Sequence, residues 1–385
     1  MEDFPYELRL VLDLPKHLPQ TKNTGKGRGK PIPRSGHRIV SDDNYVYSYG
    51  GYNPSNLFPP NGMLAELWRY NISTQKWDCL SRDGPPEAAS HSMILLGDFL
   101  LIWGGTAYPW GRCLSNRLHF FHIPSKTWMQ DVECAGDVPT PRYGQSATYF
   151  AGKLYIVGGT NGVDYNMDAY ILNLKHLEYE RIQPEAEEQP LPRYRHEVAV
   201  LDDCLFVLGG GAADMSAFSF IDICVFNMKN QGWKTVTSQP CRKSGEYPAP
   251  RKFHSAVQWG EWAYICGGHT GTDVLDDIWR LHLRQRQWER LPQELPFPVY
   301  FHAAACTPSG CMFVFGGVMC KIGDRRCNTV FKVWLTVPTL QEMVWDVVMR
   351  NLGKSLRKPK ENEEILWSIK NAGFKLPYCF LKRLQ

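Results

Sequence analysis

The stretch RYGQSATYFAGKLYIVGG, residues 142–159, reads as a strand, a turn through glycine and a second, apolar strand that ends in two glycines. Five more segments repeat it: RSGHRIVSDDNYVYSYGG (34–51), AASHSMILLGDFLLIWGG (88–105), RYRHEVAVLDDCLFVLGG (193–210), RKFHSAVQWGEWAYICGG (251–268) and VYFHAAACTPSGCMFVFGG (299–317). From the His or Gln at the fourth position to the first glycine, the offset is 13 residues in five segments and 14 in the last. A hairpin that recurs about every fifty residues predicts a propeller with one blade per repeat. The paired glycines permit positive φ and close backbone approach where the chain leaves the inner strands.

After every pair but the last come two more strands, such as Glu66–Tyr70 with Lys76–Leu80 and Asp277–Leu281 with Gln287–Leu291. Trp77, Trp128, Tyr179, Trp233 and Trp288 recur at one place in the fourth strand, where a large ring can fill the gap between adjacent twisted sheets. The sixth repeat runs from Phe331–Leu335 into Pro338 and lacks a fourth strand. An open ring would expose a sheet edge. Tyr6–Leu12 alternates Tyr and Leu on one face and is expected to supply the missing strand. The expected architecture is therefore all-β: a six-bladed β-propeller over residues 34–335, a closing strand and basic flexible arm over 1–33, and a small C-terminal α-helical box over 336–385.

Composition narrows the function. A formal net charge of +4 over 385 residues gives no nucleic-acid footprint for the whole molecule. The seven Lys and Arg between Leu14 and Ser41, unaccompanied by acids, read first as a solvated arm. Neither a signal peptide nor a membrane span is legible, so a cytoplasmic or nuclear protein with no membrane partner is expected. The 12 cysteines include no C-x-x-C pair and read as free thiols, and no metal or cofactor is expected.

Arg34, Arg142, Arg193 and Arg251 stand at the first repeat position, and Tyr143, Tyr194, Lys252 and Tyr300 at the second, with Arg195 beside them. Blade two has Ala88 in place of the arginine and blade three Gln145 in place of the histidine. Rotational repetition would gather these side chains around one mouth of the ring. Each arginine could pair with an acid or carbonyl of a neighbouring blade, but four or five guanidiniums near one axis are hard to neutralise internally. All of these residues are therefore expected to line an electropositive pocket for a carboxylate or phosphate on a partly apolar stem, with Arg193, Arg195 and Arg251 gripping the anion and Tyr143, Tyr194 and Tyr300 packing beside it. His37, His91, His196, His254 and His302 keep step with the fold and read as structural. No nucleophile elbow, phosphate loop or H-E-x-x-H motif is present, so binding is favoured over catalysis.

The pattern changes at TVPTLQEMVWDVV, residues 336–348. Pro338 ends the strand, and Thr339 with Glu342 forms a T-x-x-E capping box that starts a helix at Leu340. Leu340, Met343, Val344, Val347 and Val348 then make one apolar stripe. The stripe either packs on the propeller or awaits another chain, and an appendage of about fifty residues builds little core of its own.

The repeat resembles the kelch repeat, whose domains are propellers with four strands per blade. The helix resembles an elongin-binding box, with Thr339, Leu340, Val344 and Val348 at its pattern positions and Val344 replacing the usual small residue. Leu376, Pro377, Phe380 and Leu384 match the looser cullin-2 box, without the second proline of the cullin-5 version. Together they are similar to the kelch substrate receptors of cullin-RING ubiquitin ligases. That resemblance implies a non-catalytic receptor that binds substrate C-terminal peptides and joins elongin B/C and cullin-2 with its RING subunit. A kelch scaffold for actin or another folded protein, with the terminal helices docked on its own blades, is the alternative; a kelch enzyme of the oxidase or lyase kind is a third reading, which bound copper or iron would favour.

Overall fold

Each repeat folds as an antiparallel meander, because its apolar residues alternate with polar ones at the two-residue period of a strand and its turns carry glycine or Asp-Asn pairs. The computed structural model describes residues 29–55, 61–129, 132–183, 190–214, 216–319 and 325–355. Blade one is built from Arg38–Ser41, Tyr45–Tyr49, Leu67–Asn71 and Lys76–Ser81, hydrogen-bonded in that order. Blades two, four and five repeat this order, and blade three gains a short parallel fifth strand, Ala135–Gly136, on its outer edge. The innermost strands, Arg38–Ser41, Ser92–Leu96, Ser146–Phe150, Glu197–Leu201, Ser255–Trp259 and Ala303–Cys306, pack side by side in chain order, and the last lies against the first. The six-bladed ring is closed.

The core is six slabs, one between each pair of neighbouring blades. Ile39, Val46 and Tyr70 of blade one pack on Ala303, Phe313 and Phe315 of blade six, so this seam is as apolar as the others. The recurrent aromatics reach back to the preceding blade. Trp77 lies 4.9 Å from Phe315, Trp128 5.4 Å from Tyr49 and Trp288 5.4 Å from Phe220, while Tyr179 Oη accepts a 2.8 Å hydrogen bond from Trp103 Nε1.

A second link runs round the axis. The first glycine of each pair has positive φ, and its missing side chain leaves room for the fourth-position residue of the next blade. A Cβ on Gly50, Gly158, Gly209 or Gly267 would stand within 3.0 Å of Cε1 of His91, His196, His254 or His302, and one on Gly316 would stand 2.5 Å from that of His37. Gln145 keeps the arrangement against Gly104 and donates to the carbonyl of Trp103 at 3.1 Å. The five repeat histidines are fully buried. Burial first, aided by neighbouring arginines, lowers His91 and His196 to about 3; burial with Arg38 lowers His302 to about 4.

Among the described residues the sixth sheet has three strands, Ala303–Cys306, Cys311–Phe315 and Val330–Trp334. Tyr6–Leu12, expected to add the fourth, lies outside the described residues. The C-terminal helix spans Leu340–Ser355 and begins where the capping box places it, with Thr339 Oγ1 accepting from the Glu342 N–H at 3.3 Å. It rests on blade six through Trp345, which is 3% exposed, and through a 3.1 Å ion pair from Lys332 to Asp346. No helix of the described residues is long and apolar enough to cross a membrane.

Candidate functional site

The five residues that open each repeat form successive layers at one mouth of the ring. At the first position, Arg34, Arg142, Arg193 and Arg251 do not face the opening. Each donates from Nε to the carbonyl two residues before it (Ile32, Thr140, Leu191 and Ala249) and from Nη1 to the carbonyl of its own blade's first glycine (Gly50, Gly158, Gly209 and Gly267). Other donors meet the third strand or the residue just before it. Arg34 pairs with Glu66 at 3.0 Å, Arg142 with Asn166 at 2.9 Å and Asp168 at 3.5 Å, and Arg251 bidentately with Asp277 at 2.5 and 3.0 Å. Arg193 has a thiol instead, Cys224 Sγ at 3.5 Å, and stacks 3.7 Å from the Phe218 ring centroid. The expectation that these four guanidiniums line the pocket is corrected. They brace their own blades, because a guanidinium cut off from water needs an internal acceptor for its fork of donors.

Second-position residues form single antiparallel bridges to the residue that follows the glycine pair, as in Tyr143 with Thr160, Tyr194 with Gly211 and Lys252 with His269. These bridges pin the rim. Third-position residues, Gly36, Ser90, Gly144, Arg195, Phe253 and Phe301, all have φ between 54° and 71° and make a backbone belt around the axis. The N–H of Phe301 donates to the Phe253 carbonyl, Gly36 to Phe301, Ser90 to Gly36, Gly144 to Ser90 and Arg195 to Gly144, at 2.6–2.9 Å.

A cavity of about 310 Å³ sits on this belt, lined by Ser35, Gly36, Tyr52, Ala89, Ser90, Thr106, Trp110, Tyr143, Tyr194, Arg195, Phe301 and Arg326. Of the residues singled out from sequence, Tyr143, Tyr194 and Arg195 are brought together here. Lys252 is buried next to the cup with its ammonium 5.5 Å from the Phe253 ring, and Tyr300 stands behind the wall, 5.3 Å from Phe301. Ser90, Phe301, Tyr52, Trp110 and Arg326 were not legible as site residues. The first two share the third position with Arg195; the other three come from the segments after the glycine pairs, whose residue types follow no repeat.

Arg195 forms the floor. Its side chain crosses from blade four to blade two, donating to Ser90 Oγ, and lies 4.8 Å from the Phe301 ring of blade six. Glycines at 36 and 144 make that crossing possible, since a Cβ on Gly36 would stand 3.3 Å from Arg195 Nη2. Burial and then the nearby Arg38 charge lower its guanidinium to about 9, so it still carries its charge at neutral pH. Beneath it, Arg38 of blade one reaches Glu197 of the opposite blade four at 2.6 Å and seals the axis. The walls are aromatic: Tyr194 lies 5.1 Å from Tyr165 and 6.4 Å from Tyr143, and Tyr52 4.8 Å edge-on to Trp110. Among the described residues the lining holds two arginines and no carboxylate. Such a blind, cationic, aromatic cup suits a small anionic group on a partly apolar stem. A larger crevice of about 700 Å³ between blades two and three carries both charge signs (Asp83, Arg117, Glu133) and favours no ligand class. No cluster among the described residues has the donor set for a metal.

Away from the cup, the C-terminal helix turns its stripe outward: Leu340 is 73% exposed, Met343 42%, Val344 41% and Val347 51%. Val348 falls within the same helix. Leu376, Pro377, Phe380 and Leu384 lie outside the described residues.

A six-bladed ring of four-stranded repeats with a cup on its axis defines a kelch-type propeller protein. Residues 16–210 and 190–349 match the family model described as the KLHDC2/KLHL20/DRC7 Kelch-repeats domain. The chain is 39% identical over 334 residues to Kelch domain-containing protein 10 of Homo sapiens, covering 84% of this chain and 75% of that protein. It is 38% identical over 335 residues to the protein of that name from Xenopus tropicalis (84% and 81%), and 35% identical over 365 residues to the Drosophila melanogaster homolog (86% and 58%). The chain belongs to the Kelch domain-containing protein 10 family.

Proposed function

We propose that this chain is the substrate-recognition subunit of a cullin-2–elongin B/C RING ubiquitin ligase, and that its axial cup captures the C-terminal tails of substrates for ubiquitination and degradation. In this reading residues 34–335 are the receptor and 336–385 the box. The observation that carries it is the attitude of the helix: Trp345 and Asp346 hold it to blade six while Leu340, Met343, Val344 and Val347 face away. A helix that served its own blades would bury that stripe, as the scaffold alternative requires. An amphipathic helix offered this way fits a groove on a partner such as elongin C. Arg195 would grip the terminal carboxylate, with Tyr143, Tyr194 and Phe301 against the last side chains; Arg326 adds charge at the wall.

Two measurements test the proposal. Copurification of elongin B/C should be lost for Leu340→Ala and for a chain ending at Leu335, with the Leu340→Ala propeller as stable as the wild type. Recovery at wild-type yield would refute the box. Peptides ending in a free carboxylate should bind about 2–5 kcal/mol more tightly than their amides, because the amide leaves a buried guanidinium unpaired. Equal affinity would refute tail capture.

A further inference from the structure

We infer that Arg38, through its ion pair with Glu197 beneath the cup, keeps the Glu197 carboxylate away from Arg195 and thereby leaves the Arg195 guanidinium open to an incoming anion. The inference rests on the proposed reading of the cup as a site for a terminal carboxylate, and it adds a positioning residue that does not line the cup.

Arg38 and Glu197 open the innermost strands of blades one and four, which face each other across a six-membered ring. Their contact, Nη1 to Oε1 at 2.6 Å, therefore passes through the axis. Arg38 is held there by a second bond, Nε to the His91 carbonyl of blade two at 3.2 Å. Its charge is felt by His91, His196, His254 and His302 on four other blades, as a group at the centre would be. Two guanidiniums thus meet near one axis with one carboxylate to share.

Glu197 is two residues from Arg195 and within its electrostatic reach. The geometry nevertheless gives the carboxylate to Arg38. Arg195, with φ of 54°, sends its side chain upward across the belt to Ser90 and the Phe301 ring. Of the five N–H donors on its fork, one is engaged by Ser90 among the described residues, and Arg195 lines the pocket. If Arg38 were neutral, Glu197 would be a half-buried carboxylate with the Arg195 charge within its reach. Such a group takes the nearest opposite charge. An internal carboxylate on Arg195 would then occupy the donors that a ligand carboxylate needs.

The test is a cycle of full-chain variants with two readouts. The first needs no ligand: the rate at which glyoxal, a dicarbonyl small enough for the cup, modifies Arg195, followed by peptide mass spectrometry. The second is retention of a labelled short-peptide library with randomised last residues and free carboxylates, against the same library amidated. Arg38→Met should slow modification and lower free-acid retention, each about tenfold, as expected when a close charge pair is rearranged. Glu197→Gln should lower neither. The double variant should return both to within about threefold of the wild type, because the competitor is gone. Arg38→Lys, which keeps the charge, should behave as the wild type; Arg38→Gln replaces the methionine variant if that one does not fold.

A merely structural pair would instead give losses in both single variants and no recovery in the double. That pattern, or an Arg38→Met chain indistinguishable from the wild type, would overturn the inference. Wild-type protein that retains acid and amide libraries equally, with the glyoxal pattern intact, would remove the tail-capture reading while leaving the charge arrangement in place.

Discussion

Arg193 and Arg195 stand two residues apart in blade four and both are nearly excluded from solvent, at 4% and 5% exposure, yet the fold uses them in opposite ways. Arg193 sits at the first repeat position, where the backbone directs its fork onto the carbonyls of Leu191 and Gly209. Arg195 sits at the third, where positive φ aims the side chain over the axis and its contacts come from blades two and six. Residue type does not separate a brace from a ligand-binding group here; the angle at which the backbone delivers the side chain does. First-position arginines repeat in four blades because each binds the same set of acceptors. Third-position side chains differ because together they shape a single cavity.

The contrast is sharpest for stability. Arg251→Ala strips Asp277 of its bidentate ion pair, leaving it the Trp279 indole N–H, and should cost about 3–5 kcal/mol in chemical denaturation. A loss below about 1 kcal/mol would mean that the first position does not brace the blade. Next is acidity. The repeat histidines titrate at about 6.5 when unfolded but, in the fold, at about 3 for His91 and His196 and about 4 for His302. Below about pH 6.5 the unfolded chain binds more protons, so stability is fully present above that value and falls with pH by up to about 1.4 kcal/mol per unit for each histidine. Denaturation midpoints that stay flat from neutral pH to about pH 5 would contradict the burial of these rings.

Gly316→Ala places a methyl against His37 at a positive φ and should destabilise by about 1–3 kcal/mol. Gly152→Ala, at a positive φ but with nothing within 4 Å, should cost about 1 kcal/mol or less. Arg195→Met should cost no more stability than that, about 1 kcal/mol or less, with peptide retention abolished. A loss equal to that of Arg251→Ala would erase the distinction between the two positions.

The blades were legible because their signals are local: the hairpin, the glycine pair and the outer-strand aromatic fall within one repeat. The helix start was legible for the same reason, from Thr339 and Glu342. The site was only half legible. Arg34 and Arg251 look unpaired in sequence because their acids, Glu66 and Asp277, arrive 32 and 26 residues later, where the third strand begins. The belt was hidden by a different cause. Gly36, Ser90, Gly144, Arg195, Phe253 and Phe301 share a backbone conformation and no side-chain property, so a search by residue type passes over them. Arg38 and Glu197, 159 residues apart, meet only because the ring places blade four opposite blade one.

The glycine and fourth-position side chain that interlock at each of the six seams have a consequence for how this ring can be rebuilt. Each blade carries a socket at the end of its second strand and a plug at the start of its first, so a whole blade can be exchanged for another with both junctions intact. A graft cut between those two points would mate a plug with the wrong socket, and the Gln145 seam, the one junction without an imidazole, is where the mismatch would be felt first.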